Sequence, residues 1–360
     1  MSYHNLFFVF LIALSSCKPT TEYYACPPCD QACDTLTFSG PGTCPHCQMA
    51  LVPMRSLMPP EHIRVEDIQI ETGSGSFWIP GGPAHPNDPV RVFYYCPPDF
   101  SDTSRILVVI PGAGRDADEY RDAWVEAADQ YNVLLLSPRY AADAYPFGDY
   151  HMAGWMQDLN LAEAIDYEPN SNVANLDEGA LTFTVNQDQE TWLFADFDRL
   201  FSLVQEITAS TQSQYDLFGH SAGGQILHRL AISYPSDKVD RIVAANSGFY
   251  TMPDTSLALP LGLKGLPIPD EMIKDAYQRN LVLLLGESDN ARETGGTLLR
   301  SSTADQQGLH RLARGRYYYQ QAQQSAGRSG VLLQWEKVEI PEVGHDFRKM
   351  SRAAAKFLYE

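Results

Sequence analysis

Gly219-His220-Ser221-Ala222-Gly223 limits what this chain can fold into more than any other stretch. The residues before it, Tyr215 to Phe218, are strand-like. Those after it carry Ile226, Leu227, Leu230 and Tyr234 on one helical face, and Pro235 stops that helix. A strand, a sharp turn and a helix must therefore follow one another within about twenty residues. The glycines suit a tight turn whose helix packs closely on its strand. Such a turn lifts a serine hydroxyl out of the end of a sheet and over a helix N-terminus, where developing negative charge is favoured.

The flanking sequence supplies a sheet for that turn to cap. Ile106 to Ile110 and Val133 to Leu136 are continuous apolar runs, as expected of strands covered on both faces. Arg241 to Ala245 and Leu281 to Leu285 continue the series, and Val331 to Ile340 closes it. Val90 to Tyr95 is an earlier extended segment. Helical character over Asp116 to Tyr131 and Lys349 to Tyr359 alternates with these runs. This order predicts a mainly parallel sheet with helices on both faces, an α/β fold. The stretch 139–189 breaks the rhythm with Tyr, Asn, Asp and Gly, and is expected to be an insertion over the active-site end of the sheet.

A serine hydroxyl is a weak nucleophile without a base. In a strand–elbow–helix fold the partners follow in the order serine, acid, histidine. His345, in Val343-Gly344-His345-Asp346-Phe347, comes after the last expected strand and before the last helix, and is the candidate base. The acid belongs just beyond Leu281 to Leu285, in Gly286-Glu287-Ser288-Asp289-Asn290. Asp289 is the candidate because it is far enough past the strand to turn back; Glu287 is the alternative. An oxyanion site needs two backbone N–H groups. Ala222 supplies one. Ala113, with Gly114 as alternative, supplies the other from Pro111-Gly112-Ala113-Gly114 after an early strand.

Val109 to Tyr120, the elbow, the acid loop and Gly344-His345-Asp346 together resemble polyhydroxyalkanoate depolymerases and feruloyl-esterase-like members of the α/β-hydrolase superfamily. The resemblance runs from about Val90 to Glu360. It implies a Ser-Asp-His serine esterase that needs no cofactor for catalysis. Pro111 stands where relatives often have His. The family's pockets differ mainly in inserted loops, so the resemblance does not carry a substrate with it.

The first sixty residues have a different character. Leu6 to Leu14 is an apolar run too short to span a bilayer. With Ala13-Leu14-Ser15-Ser16-Cys17 it resembles the signal peptide and lipobox of bacterial lipoproteins, which implies lipidation at Cys17 after cleavage. The expectation is an exported lipoprotein held by its anchor on the periplasmic or outer face, although Met1 to Asn5 carries no Lys or Arg. Next come Cys26-Pro27-Pro28-Cys29 and Cys44-Pro45-His46-Cys47, two C-x2-C pairs with 14 residues between them. Cys26, Cys29, Cys44 and Cys47 can supply four soft ligands to a zinc-like ion in a structural site. The segments around them resemble the small heavy-metal-binding domain of bacterial metal-handling proteins, with Gln48 where that module usually has Gly. Disulfides are the competing reading in an oxidising compartment. Cys33 is read as an extra thiol and Cys96 as a buried strand residue.

The expected organisation is thus 1–17 leader and lipobox, 18–57 cysteine module and linker, and 58–360 hydrolase domain. The formal net charge of −19, with no Lys/Arg cluster, argues against nucleic acid and against electrostatic adhesion to anionic lipid. The first functional reading is hydrolysis of a small-molecule or polymeric carboxylic ester through an acyl-enzyme. A peptidase on the same fold is the second. A metal-binding lipoprotein with a non-catalytic hydrolase scaffold is the third.

Overall fold

A computed structural model of the protein describes residues 23–26, 33, 36–59 and 63–360. It divides into two units, Met1–His62 and Ile63–Glu360. The leader, including Cys17, and Cys29 of the cysteine module lie outside the described residues.

The larger unit is built on eight strands: β1 (Gly73–Ile79), β2 (Val90–Cys96), β3 (Arg105–Ile110), β4 (Val133–Arg139), β5 (Tyr215–His220), β6 (Val239–Ala245), β7 (Asn280–Gly286) and β8 (Glu336–Ile340). They lie side by side in the order β8-β7-β6-β5-β3-β4-β2-β1. The six from β8 to β4 pair in parallel; β2 pairs antiparallel with both β4 and β1.

The apolar runs are continuous because alternate residues serve opposite faces. Ile106, Val108 and Ile110 of β3 enter one core with helices α3 (Phe194–Thr208), α4 (Ala222–Ser233) and α6 (Arg311–Arg328). Leu107 and Val109 enter the other, with α1 (Ala117–Asp122), α2 (Val125–Tyr131) and α7 (Phe347–Tyr359). Helix α5 (Asp270–Ala276) joins the first core through Ile273. Each fully buried Leu, Val or Phe contributes roughly 1.5–3 kcal/mol, so the end of this sheet is a rigid platform.

Two expectations are corrected here. Asp116 to Tyr131 is two helices, because the chain turns at Ala123 and buries Trp124 to 1% exposure against Phe218. Of Val331 to Ile340 only the second half is strand. Gln334 N–H bonds to the Tyr277 carbonyl at 2.8 Å and the Trp335 indole N–H to the Ala276 carbonyl at 2.8 Å, so this segment joins the end of α5 before it reaches the sheet.

The insertion at 139–189 carries only short elements, among them Val173–Leu176. That strand runs parallel to Leu298–Arg300, a segment of the loop beyond β7.

The smaller unit is described by itself. Tyr24–Ala25 lies between Thr37–Phe38 and Val52–Pro53 in a three-stranded antiparallel sheet. Among the described residues its core cluster is Cys26, Cys33 and Cys44, with Phe38, Cys47, Met49 and Leu51 packed around them. Among the described residues, no helix is long and apolar enough to cross a membrane.

Candidate active site

Ser221 stands at the carboxyl end of β5, where its N–H bonds to the Ala245 carbonyl on β6 at 3.0 Å. Its backbone is held at φ 58° and ψ −114°, a region L-residues avoid and one that costs of order 1–3 kcal/mol. The flanking glycines explain how so sharp a turn closes. A Cβ on Gly223 would stand 2.1 Å from the Ile110 carbonyl oxygen, and one on Gly219 would stand 2.5 Å from the Gly223 carbonyl group. Helix α4 begins at Ala222, whose N–H belongs to the first turn and has no intrahelical acceptor.

The loop Pro111-Gly112-Ala113-Gly114 faces the elbow: a Cβ on Gly112 would lie 3.6 Å from the Ser221 Cβ. The Tyr120 hydroxyl would lie 2.8 Å from a Cβ on Gly112, and the Arg115 N–H bonds to the Gly112 carbonyl at 3.2 Å. Ala113 and Gly114, both exposed, are the loop's candidate donors to a substrate oxygen.

His345 and Asp289 meet as chain order requires. The imidazole Nδ1 lies 2.9 Å from Asp289 Oδ2, and the two side chains are 5% and 1% exposed. An ionised carboxylate only accepts, so the hydrogen-bonded tautomer carries its proton on Nδ1 and leaves the lone pair on Nε2. Glu287, the alternative acid, is exposed. The His345 ring lies 4.5 Å, centroid to centroid, from the ring of His220, the residue before the serine. The Ser221 hydroxyl makes no hydrogen bond to His345 among the described residues; such bonds are often long before substrate binds. His220 is buried, and its pKa is pushed well below the ordinary value by desolvation and then by the neighbouring His345 and Arg311. It is therefore a neutral partner, with Nδ1 at 3.2 Å from the Tyr120 hydroxyl.

Several residues that the sequence did not single out hold this arrangement. Arg311, at the start of α6, places Nη1 3.0 Å from Asp289 Oδ1 and is 2% exposed. Its Nη2 donates to the carbonyls of Gly296 and Thr297 at 2.8 and 3.0 Å. Gly296 has φ 61°, and a Cβ there would lie 2.7 Å from His345 Nε2, so no side chain fits. Glu293 accepts the His345 backbone N–H at 2.8 Å. Asn246 donates to the Gly344 carbonyl at 2.9 Å and accepts from the Gly286 N–H at 2.8 Å, tying the base loop to the end of β7.

The insertion reaches both loops. The Tyr150 hydroxyl donates to the Pro111 carbonyl at 2.8 Å, and the Arg115 guanidinium lies 3.5 Å over the Tyr150 ring while donating to the Tyr145 carbonyl. On the other side, Asn172 donates to the Gly296 carbonyl at 3.0 Å. A cavity of about 410 Å³ between α5 and α6 and one of about 740 Å³ on the insertion are lined by none of Ser221, Asp289 and His345.

In the smaller unit the sulfurs of Cys26, Cys33, Cys44 and Cys47 all lie within 4.8 Å of one another. Cys26 and Cys47 are 3.0 Å apart. Cys33, read from the sequence as an extra thiol, thus stands inside the set. Cys44 and Cys47 lie on a tight hairpin in which the Cys44 N–H bonds to the Met49 carbonyl at 2.7 Å and the Gln48 N–H to the Cys44 carbonyl at 3.0 Å. Gln48 closes that turn in the left-handed region, at φ 64°.

No family model and no curated protein matches the chain. Solved structures do. Poly(aspartic acid) hydrolase-1 from Sphingomonas sp. KT-1 is 33% identical, with a TM-score of 0.68 over 81% of this chain and 100% of that one. A poly(3-hydroxybutyrate) depolymerase from Bordetella parapertussis is 26% identical, with a TM-score of 0.68 over 80% of this chain and 90% of that one.

Proposed function

The chain belongs to the α/β-hydrolase superfamily, and from that premise we propose that it cleaves carboxylic esters with Ser221 as nucleophile, His345 as base and Asp289 as the acid that orients it. One observation carries the reading: a buried Asp289–His345 hydrogen bond of 2.9 Å beside a serine held in a strained elbow.

The chemistry follows from these positions. His345 Nε2 takes the Ser221 proton as the hydroxyl oxygen attacks the acyl carbon. The N–H groups of Ala222 and Ala113, or Gly114 in place of Ala113, receive the negative charge of the tetrahedral intermediate. His345 then protonates the departing alcohol, leaving an acyl-serine, and draws a proton from the water that releases the acid. Asp289 holds the imidazole in its tautomer and stabilises its charged form.

A second reading is amide cleavage in an acidic polymer, favoured by the 33% identity to a poly(aspartic acid) hydrolase. Fluorophosphonate labelling of Ser221 tests the shared triad. Turnover of aryl and 3-hydroxybutyrate esters against poly(aspartic acid) separates the two readings. Rapid ester turnover with no depolymerisation is expected; the reverse would move the assignment to the amide.

For the smaller unit the reading is a structural zinc site among the cysteines. The four clustered thiols support it, and hydrolysis requires nothing from it. The leader motif supports export and anchoring through a lipid on Cys17. Radiolabelled palmitate should enter the protein in cells and be lost on Cys17→Ser.

A further inference from the structure

We propose that the zinc site of the smaller unit is a tetrathiolate made by Cys26, Cys33, Cys44 and Cys47, so that Cys33 and not Cys29 is the fourth ligand. This rests on the metal reading above and specifies its ligands.

Spacing alone favours Cys29, because Cys26-x2-Cys29 repeats Cys44-x2-Cys47. Geometry places Cys33 among the clustered sulfurs. Four sulfurs at about 2.3 Å from a central zinc stand about 3.8 Å apart. The sulfurs of Cys26, Cys33, Cys44 and Cys47 already lie within 4.8 Å of one another, so closing on an ion needs movements of an ångström or less. Cys26, Cys33 and Cys44 are 2%, 1% and 0% exposed. His46, which also lies within the hairpin, is exposed and plays no part.

Packing gives an independent reason. Among the described residues, the core cluster of this unit is the set of sulfurs, with Phe38, Met49 and Leu51 only partly buried around it. So little apolar surface cannot offset the entropy of ordering the chain. An ion that binds four thiolates supplies the missing free energy and displaces one proton from each thiol. The site is closed: with four sulfurs there is no position for water or substrate, which makes it structural. Five cysteines then serve four positions, and Cys29 is the surplus thiol.

The test uses the full-length protein, reduced and loaded with zinc or with cobalt(II) as a spectroscopic substitute. The expected stoichiometry is about one metal per chain. Cys29→Ala should retain it and Cys33→Ala should lose it. Because Cys33→Ala can lose metal through misfolding alone, Cys33→His is the decisive variant. It should keep cobalt but move the d–d bands to higher energy and reduce the sulfur-to-cobalt charge-transfer band by about a quarter, one sulfur in four having been replaced. Loss of metal in Cys29→Ala, or a four-sulfur spectrum unchanged in Cys33→His, overturns the ligand assignment. Disulfides in place of metal in the unmutated protein overturn the zinc reading itself, and esterase activity is untouched in either case.

Discussion

Asp289 and Cys44 are equally shut away from solvent, at 1% and 0% exposure, but they are held by opposite means. Asp289 stands just past β7, and the strand beneath it is buried from Leu281 to Gly286 whether or not the carboxylate is there. Its position is a consequence of the fold. Cys44 belongs to a unit whose described core cluster is made of the cysteines themselves. There the fold is a consequence of the site. A reactive group on a large core can be removed and leave the frame standing; in the small unit, removing the group removes the frame.

The comparison breaks most visibly at the nucleophile. Ser221→Ala should lower ester turnover by about 10⁴-fold or more while leaving metal content and thermal midpoint unchanged. Near-normal turnover would unseat Ser221. Asp289→Asn should cost about 10⁴-fold by allowing the wrong imidazole tautomer, and Glu287→Gln about twofold at most. Kinetics on one ester rank the two, and a reversed order would transfer the role to Glu287.

Arg311→Met probes how far the frame itself supports the chemistry. It leaves the Asp289 carboxylate buried without its cation, so unfolding should become easier by about 3–5 kcal/mol. The rate constant kcat should drop about 10–100-fold, because the Gly296 turn beside His345 Nε2 is loosened. A fall in stability with kcat unchanged would make Arg311 a packing residue only.

Chelation addresses the other side. Stripping the metal should change ester turnover by less than about twofold while exposing the segment 23–59 to protease. Loss of activity would mean that the two units depend on each other. The smallest effect is expected at Gln48, where glycine relieves a left-handed turn at a gain of about 1 kcal/mol, or about fivefold in zinc affinity. No gain would mean that the Gln48 side chain contributes something in return.

How much of this was legible in the sequence differs in the same way. The strand–elbow–helix at Ser221 is a local pattern, and the parallel sheet follows from apolar runs spaced by helices. Asp289 and His345 could be placed because each follows a strand in a fixed order. Arg311 could not be, since it meets Asp289 from a helix with no motif around it. Nor could Asn172 or Tyr150, whose bonds to the two active-site loops come from an insertion without periodicity. Cys33 was passed over because repeated spacing makes Cys26 and Cys29 look paired, and spacing carries no information about how the chain between them bends. Val331 to Trp335 reads as strand by composition, but its hydrogen bonds go to α6 and to the end of α5.

The backbone of Ser221 carries one more consequence. At φ 58° and ψ −114° the position suits glycine better than any residue with a side chain. Selection for durability alone and selection for turnover therefore pull this codon in different directions. A duplicate of the protein released from its chemical task would have a downhill exit at position 221, reached by shedding one hydroxymethyl group. On the proposed function, a serine held there is retained for its hydroxyl and not for the stability of the turn.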